Sequence, residues 1–319
     1  MVCKEYTGAV CRSKEKFLIT DKEFDKLAGG SYLDARKFVT DKGFGKGAED
    51  FGDDEKLIRE EEKNLFSFIK EYSPSAEFLR LSLIKNDYHN LNALIRKHLF
   101  SAGGESALLE SGYYSVETLA NFINGEKADV SGEMRAAFSE AKALFDGGIK
   151  DGAKLDGIIE KYKYKESLKL AKKNKRILTS LRLYIDAANV STALRSGSEK
   201  TTEEFFIDGG NVPLSKILTL TGENADKDLL TGETGELIKT ALSAKRDGLP
   251  FIEFERLSES FNLAAFIKDK YVLSGYDLFY LYCRYKENEI KNVRILLVGL
   301  KCGLQKSEII KRFRLNYGG

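Results

Sequence analysis

Apolar residues along the chain recur with the spacing of an α-helix. In the stretch Phe78–Phe100, the residues Ile84, Tyr88, Leu91 and Ile95 fall on one face of a helix with about 3.6 residues per turn. Glycine and polar clusters separate such stretches, and none of them has the convincing period-two alternation of a strand. The pattern predicts an all-α protein, with roughly two thirds or more of the chain in helices.

A polar motif recurs three times inside predicted apolar helices. It begins as Asp87-x-x-Asn90-Leu91, returns 99 residues later, and returns again after a further 103 residues. The polar residues of the three copies are Asp87, Asn90 and Arg96, then Asp186, Asn189 and Arg195, and finally Glu289 and Asn292. The third copy replaces Asp by Glu and has Val298 where the others have Arg. Residues at i and i+3 share one helix face, so each acid–Asn pair can bond to a neighbouring segment.

The acid–Asn pairs have two interpretations. A buried pair must find hydrogen-bond partners, because each unsatisfied group costs about 1–3 kcal/mol. We therefore interpret the pairs as satisfied networks that fix helix packing. A ligand or proton site is the alternative, and it fits less well because the third copy changes both the acid and the Arg.

A second element follows each copy of the motif. Gly112 and Gly303 are each followed at offsets of 5, 7 and 10 residues by Glu, an aliphatic residue and Phe. The middle copy at Gly210 is weaker, and Pro213 stands where a new helix can begin. Each glycine is predicted to end a helix in a left-handed conformation.

Two elements that recur in order at nearly equal spacing indicate a triplicated module. The period is too long for a solenoid unit, which has about 20–50 residues. The repeat therefore predicts three similar helical lobes, comprising residues 1–105, 106–205 and 206–319. Capping-box patterns at Thr20–Glu23 and Thr201–Glu204 predict two helix starts.

Charge is nearly balanced, with 51 Lys and Arg against 49 Asp and Glu and a formal net charge of +2. Dedicated nucleic-acid binding needs a surplus of cations, so we expect no nucleic-acid partner. The basic runs Lys169–Arg176 and Lys301–Arg314 are interpreted as solvated helix faces. Docking onto an acidic partner is the alternative for both runs.

Membrane insertion is not expected. The longest apolar candidate, Ile295–Leu300, has six residues, against the ~20 that a spanning helix requires. The N-terminus lacks the apolar core of a signal peptide, and the four cysteines contain no C-x-x-C pair and indicate reduced thiols. We expect a cytosolic protein that reaches a membrane only through partner proteins.

No residue pattern indicates catalysis. Gly43–Gly47 lacks the Ser or Thr that ends a phosphate loop and follows no predicted strand, so we interpret it as a flexible surface loop. His89 and His98 are nine residues apart and do not share a helix face as metal ligands. Asp53–Asp54 lacks the third acid of an aspartate-rich metal motif, because Leu57 stands in its place. We expect that the protein is not an enzyme and that it binds no cofactor and no metal.

Three stretches of the chain, taken in order, carry a family resemblance. The first is the N-terminal pattern from Tyr6 to Leu18, and the second is Lys85–Arg96. The third is the C-terminal stretch, which consists of Lys286–Leu296, Gly299, Gly303-Leu304, Glu308-Ile309 and Arg312–Arg314. Together they resemble the C subunit of V-type ATPases and ATP synthases, the family that includes the eukaryotic d subunit. The resemblance covers essentially the whole chain, and the set of motifs in order is more specific than any one of them.

The resemblance implies a non-catalytic central-stalk protein, shaped as a funnel of three lobes around a pseudo-threefold axis. That axis would relate Asp87, Asp186 and Glu289. The wide opening would receive the rotor shaft, made of subunits D and F, and the opposite face would sit on the membrane proteolipid ring. The protein would thus couple the shaft to proton or sodium transport, as a peripheral protein at the cytoplasmic face of the membrane.

Two other functions remain open at this point. A helical scaffold or adaptor unrelated to rotary ATPases predicts an open, elongated stack of helices. An all-helical, metal-dependent enzyme requires at least two acids from different helices to converge within metal-ligand range.

Overall fold

Every element of regular structure in the described residues is a helix. The computed structural model describes residues 2–48, 52–100, 108–195, 205–220, 232–248, 251–268 and 274–318. These ranges contain fourteen helices and no strand, which confirms the predicted all-α class. The chain forms two compact units, residues 1–76 with 248–319 and residues 77–247.

The first unit contains both ends of the chain. Numbered in chain order, its helices are α1 (Lys4–Glu15), α2 (Asp21–Leu27), α3 (Tyr32–Asp41), α4 (Asp54–Tyr72), α12 (Phe251–Lys268), α13 (Gly275–Lys301) and α14 (Lys306–Ile310). The other six helices all pack against α13. The side chains of Phe279, Val293 and Leu296 on α13 are fully buried, so this helix is the centre of the unit's core.

α1 packs closely against the start of α13. A Cβ atom added at Gly275 would lie 1.8 Å from the carbonyl oxygen of Lys4, and one added at Gly8 would lie 3.2 Å from the Cα of Gly275. Glycine is needed at Gly275 because no side chain fits between the two backbones. Thr7 Oγ1 also donates to the carbonyl oxygen of Tyr72 at 2.9 Å, which ties α1 to the end of α4.

The second unit contains the middle of the chain. Its helices are α5 (Ala76–Phe100), α6 (Val116–Ile123), α7 (Gly132–Asp146), α8 (Gly152–Leu170), α9 (Lys175–Arg195), α10 (Leu214–Thr219) and α11 (Gly232–Arg246). α8 packs on α7 and α9, and α9 packs on α10 and α11. The predicted apolar stripe Ile84, Tyr88, Leu91 and Ile95 is confirmed, because all four side chains are buried in this unit's core.

Several helices begin with the capping chemistry that their sequence predicts. Thr20 caps α2: the amide of Glu23 donates to Thr20 Oγ1 at 3.3 Å, and the amide of Thr20 donates to Glu23 Oε2 at 2.8 Å. This capping box was predicted and is confirmed. Asp53 and Asp151 cap α4 and α8 in the same manner as each other. The second predicted box, Thr201–Glu204, lies outside the described residues.

The Gly43–Gly47 segment is a turn held against α4. Gly43, Gly45 and Gly47 have positive φ, and the amide of Gly45 donates to Glu61 Oε2 at 2.7 Å. Phe44 is only 3% exposed. The expected surface loop is therefore wrong for the centre of this segment, because the buried Glu61 carboxylate needs donors and draws the Gly45 amide inward.

The division of the chain into three lobes, residues 1–105, 106–205 and 206–319, stays a prediction. Its first boundary, at residues 105 and 106, lies outside the described residues. The funnel and the pseudo-threefold axis likewise stay predictions.

Candidate functional site

Three buried asparagines, one on each motif helix, make the same pair of hydrogen bonds. In each case the side-chain Nδ2 donates to the carbonyl oxygen of one downstream residue, and Oδ1 accepts from the amide of that same residue. The pairs are Asn90 with Leu109 (2.7 and 2.8 Å), Asn189 with Ile207 (2.8 and 2.9 Å), and Asn292 with Arg314 (2.8 and 2.7 Å). We call these three pairs the amide clamps. Each clamp satisfies the asparagine and pins the chain that follows the helix.

Asp87 on α5 holds the entry to the next short helix. Its Oδ1 accepts from the amide of Tyr114 at 3.1 Å, and Ser115 directly after it is the N-cap of α6. A Cβ atom added at Gly112 would lie 2.5 Å from Asp87 Oδ1. The absence of a side chain at Gly112 therefore lets the connecting segment approach the carboxylate.

Asp186 on α9 does the same for α10. Its Oδ1 accepts from the amide of Val212 at 3.1 Å, and Pro213 directly after it is the N-cap of α10. Asn211 Nδ2 donates to the other carboxylate oxygen at 3.1 Å. A Cβ atom added at Gly210 would lie 2.2 Å from Asp186 Oδ1, so this glycine has the same place as Gly112.

Glu289 on α13 also holds the entry to a short helix, but the helix comes from the other end of the sequence. Its Oε1 accepts from the amide of Ile19 at 2.6 Å, and Thr20 directly after it is the N-cap of α2. Its Oε2 accepts from Lys286, which also pairs with Glu61 at 2.5 Å. We call these three interactions, of Asp87, Asp186 and Glu289 with the amides before the caps, the acid clamps.

The chain's C-terminal segment completes the contact around Ile19. Asn316 Nδ2 donates to the carbonyl oxygen of Ile19 at 2.8 Å, and the Asn316 amide donates to Asp21 Oδ1 at 3.0 Å. The amide of Asp21 donates to the carbonyl oxygen of Tyr317 at 3.2 Å. The backbone that enters α2 is thus bound on one side by α13 and on the other by residues 316 and 317.

Burial sets the electrostatics of all three acids, whose side chains belong to residues at most 2% exposed. Burial raises the pKa of Asp87 to about 7, although the backbone amides of Tyr114 and Tyr113 act to lower it. Burial also raises the pKa of Asp186. For Glu289, burial raises the pKa while the Lys286 ammonium opposes that change. All three acids therefore carry a desolvation cost that their partners offset only in part.

The two arginines of the motif lie outside these clamps. Arg96 Nη2 donates to the carbonyl oxygen of Gly152 at 3.1 Å and to Asp156 at 2.6 Å, which ties α5 to the start of α8. Arg195 is the exposed last residue of α9. Arg96 therefore joins two helices of the second unit, in keeping with the packing interpretation of the motif.

The structure brings two of the three predicted glycines to an acid. Gly112 and Gly210 lie against Asp87 and Asp186. The left-handed conformation predicted for these two glycines is wrong, because neither has a positive φ, and the close approach of the carboxylate is what requires glycine there. Gly303 instead follows the end of α13 with φ at 71°, and a Cβ atom added there would meet no atom within 4 Å. It has the predicted left-handed conformation, but it does not contact Glu289.

One buried ionic network in the second unit has no counterpart in the sequence motifs. Glu166 on α8 is 2% exposed. Its carboxylate accepts from Arg80 at 2.5 Å, from the Tyr88 hydroxyl at 2.8 Å and from Ser131 at 2.7 Å. Ser131 is the N-cap of α7, so the network joins three helices. The only sequence signal is Tyr88 within an apolar stripe, which does not identify its partner.

The other residues considered for chemistry have structural partners. Asp54 pairs with Arg36 at 2.8 Å, and the His98 ring packs against Phe138 with centroids 6.2 Å apart. Among the residues that the structure describes, no three His, Cys, Asp or Glu side chains are grouped to hold a metal ion. The metal-enzyme alternative therefore has no support there, and the expected lack of cofactors stays a prediction.

An open cleft of about 720 Å³ in the first unit is lined by both signs of charge, including Lys14, Asp41, Glu61 and Lys286. Two of these, Glu61 and Lys286, are already paired with each other. Within the described ranges, no helix has the length and apolar character that crossing a bilayer demands. The site of interest is therefore the set of clamps, which hold helices together.

Comparisons with known proteins agree over nearly the whole chain. A family model described as "ATP synthase (C/AC39) subunit" matches residues 8–312. The chain is also 22% identical, over 334 aligned positions, to the C subunit of the V-type sodium ATPase of Enterococcus hirae. That alignment covers 96% of this chain and 96% of the relative.

Proposed function

Because the chain belongs to the ATP synthase (C/AC39) subunit family, we propose that it is a non-catalytic central-stalk subunit of a V-type ATPase or ATP synthase. It couples the rotor shaft, made of subunits D and F, to the proteolipid ring in the membrane. The family membership excludes the alternative of a helical scaffold unrelated to rotary ATPases.

The family match over residues 8–312 is the observation that carries this proposal. The alignment with the relative from Enterococcus hirae covers 96% of this chain, so the similarity is not confined to one part of it. In the proposed arrangement, the three lobes surround a pseudo-threefold axis and receive the shaft in their wide opening. The protein is then peripheral, at the cytoplasmic face of the membrane.

The clamps suit a mechanical role. Torque passes without loss only through a body that resists deformation, and closely packed helices have low compressibility. Each amide clamp fixes the segment that follows a long helix, and each acid clamp fixes the entry to a short helix. The buried acids have backbone donors and no substrate access, so they support packing and not turnover.

The transported ion is proposed only as proton or sodium. The name of the Enterococcus hirae relative specifies sodium for that protein. Ion choice depends on carboxylates of the ring, which this chain does not supply.

Co-purification from native membranes tests the proposal. The tagged chain should bring the shaft and proteolipid subunits with it in fixed stoichiometry after gentle detergent extraction. Membranes that lack the chain should lose ATP-driven ion uptake, while ATP hydrolysis by the head of the complex persists, because the chain couples and does not catalyse.

The same tag on an unrelated helical protein is the control for adventitious capture. Restoring the chain should restore ion uptake. Recovery of the tagged chain without ring or shaft proteins, or normal ion uptake by membranes that lack the chain, would count against the proposed role.

A further inference from the structure

The first unit contains a binding site for the chain's own N-terminal segment. In the second unit, Asp87 and Asp186 each bind an amide 27 or 26 residues downstream on the same stretch of chain. Glu289 instead binds the amide of Ile19, 270 residues upstream. We infer that residues 18–27 are the short-helix part of the third repeat, and that α13 with the C-terminal segment binds them non-covalently as a peptide ligand.

The position of the bound amide supports this assignment. In all three acid clamps, the donor is the residue directly before the N-cap of a short helix, and the caps are Ser115, Pro213 and Thr20. Three unrelated contacts would not be expected to choose the same position relative to a helix start. α2 therefore has the place that α6 and α10 have in the second unit.

The helix that follows supports the same conclusion. α3 follows α2 and packs on α13, as α11 follows α10 and packs on α9. The third repeat thus begins with α12 and α13 near the end of the chain and finishes with α2 and α3 near its start. The two halves of the third repeat therefore come from opposite ends of the chain, whereas each of the first two repeats is continuous in sequence.

The site has the chemistry of a peptide-binding groove. Glu289 accepts from the Ile19 amide, Asn316 donates to the Ile19 carbonyl oxygen, and Tyr317 accepts from the Asp21 amide. These bonds recognise backbone. The side chains of Leu18 and Ile19 are at most 2% exposed, so apolar burial supplies attraction beyond the hydrogen bonds.

The short helix adds a further apolar contact. Phe24 on α2 is 1% exposed, and its ring lies 5.2 Å from that of Phe313, centroid to centroid. Phe313 precedes the C-terminal residues that bind Ile19 and Asp21. The ligand class is therefore a buried apolar dipeptide that leads into a capped helix with a buried aromatic residue.

A nicked full-length chain tests the inference. A protease site placed at the exposed Gly29–Gly30 turn between α2 and α3 allows the folded protein to be cut after purification. The fragment of residues 1–29 should remain bound during gel filtration, but it also carries α1, which packs on α13, so the comparison of variants tests the site of residues 18–27. Glu289→Ala should raise its dissociation constant at least tenfold, because the Ile19 amide loses its acceptor.

Glu287→Ala is the matched control, since Glu287 lies on the same helix and pairs with Arg284. It should change the dissociation constant less than about twofold. If Glu289→Ala does not fold, Asn316→Ala removes the bond to the Ile19 carbonyl and replaces it in the comparison. Loss of the fragment on cutting of the otherwise unchanged protein, or equal effects of the Glu289 (or Asn316) and Glu287 variants, would overturn the inference. Neither result bears on co-purification with the ATPase, so the two proposals fail separately.

Discussion

The acid clamps of α9 and α13 both bind the amide before a helix N-cap, but their donors and charge partners differ. Asp186 closes a short local connection and is satisfied by backbone amides and by Asn211. Glu289 joins two segments from opposite ends of the chain, and the Lys286 ammonium donates to its carboxylate. The longer Glu side chain and its ammonium partner accompany the only clamp whose two sides are distant in sequence. Both clamps thus bind the amide directly before a helix N-cap. They differ in the type of acid and in the group that offsets its charge.

The largest effect should come from filling the space beside an acid clamp. Gly210→Ala places a Cβ atom 2.2 Å from Asp186 Oδ1 in the present structure, so the connecting segment must move. We expect a loss of about 3 kcal/mol in the free energy of unfolding. Urea denaturation followed by circular dichroism measures it.

Gly303→Ala is the contrasting variant, because its added Cβ would meet no atom within 4 Å. Only the left-handed backbone at this position opposes the change, which should cost about 1 kcal/mol. Equal losses at Gly210 and Gly303 would mean that the contact with the acid is not what requires glycine at Gly210.

The amide clamps should respond alike in the two units. Replacing Asn90, Asn189 or Asn292 by Ala leaves one carbonyl and one amide without their partner. Each replacement should lower the free energy of unfolding by about 2 kcal/mol, measured by urea denaturation. Replacement of the exposed Asn124, the C-cap residue of α6, is the control and should cost less. A much smaller loss at Asn292 than at Asn189 would break the equivalence of the two units.

The pH dependence of stability should distinguish Asp87 from a neutral residue. Its pKa is raised from 3.8 to about 7, chiefly by burial, so the folded protein keeps a proton that the unfolded chain has released. The stabilisation from this proton is full below pH 3.8 and is lost as the pH rises through about 7.

Asp87→Asn removes that titration. The stability of the original protein relative to the variant should therefore fall with rising pH in this window, by up to about 1.4 kcal/mol per pH unit. Denaturation curves of both proteins at several pH values provide the measurement. A difference that stays constant, or rises with pH, would show that Asp87 is ionised in the fold.

The smallest effect concerns the caps that follow the clamps. Thr20→Ala and Ser115→Ala each remove a side-chain acceptor at a helix start, and each should cost about 1 kcal/mol. Thermal unfolding measures both. Similar losses would support the equivalence of α2 and α6, whereas a silent Thr20→Ala would argue that α2 adds little to its unit.

The helical fold and the acid–Asn motif were readable from the sequence because both depend on local spacing. Apolar residues at helical intervals locate a buried face, and Ile84, Tyr88, Leu91 and Ile95 lie where this predicts. Asn90, Asn189 and Asn292 have the same offset from their acids, and their bonds go to segments of similar position. Local periodicity thus predicts the class of the fold and the acid and Asn of each clamp. It does not predict the segments that they bind.

The partner of Glu289 could not be read in the same way. Elements of a sequence repeat recur in one order along the chain, and this order places the third glycine element at Gly303. The third short helix instead comes from residues near the start of the chain. Hydrophobic periodicity contains no information on a pairing across 270 residues. The Glu166 network was missed for a related reason, since its members are spread over three helices.

The protection of three backbone amides against hydrogen exchange tests the equivalence of the clamps most directly. We expect the amides of Tyr114, Val212 and Ile19 to exchange slowly and within about tenfold of one another, as bonded amides in packed regions do. We also expect Glu289→Ala to accelerate exchange at Ile19 while Tyr114 and Val212 keep their rates. An Ile19 amide that exchanges like an open loop in the unaltered protein would contradict this equivalence.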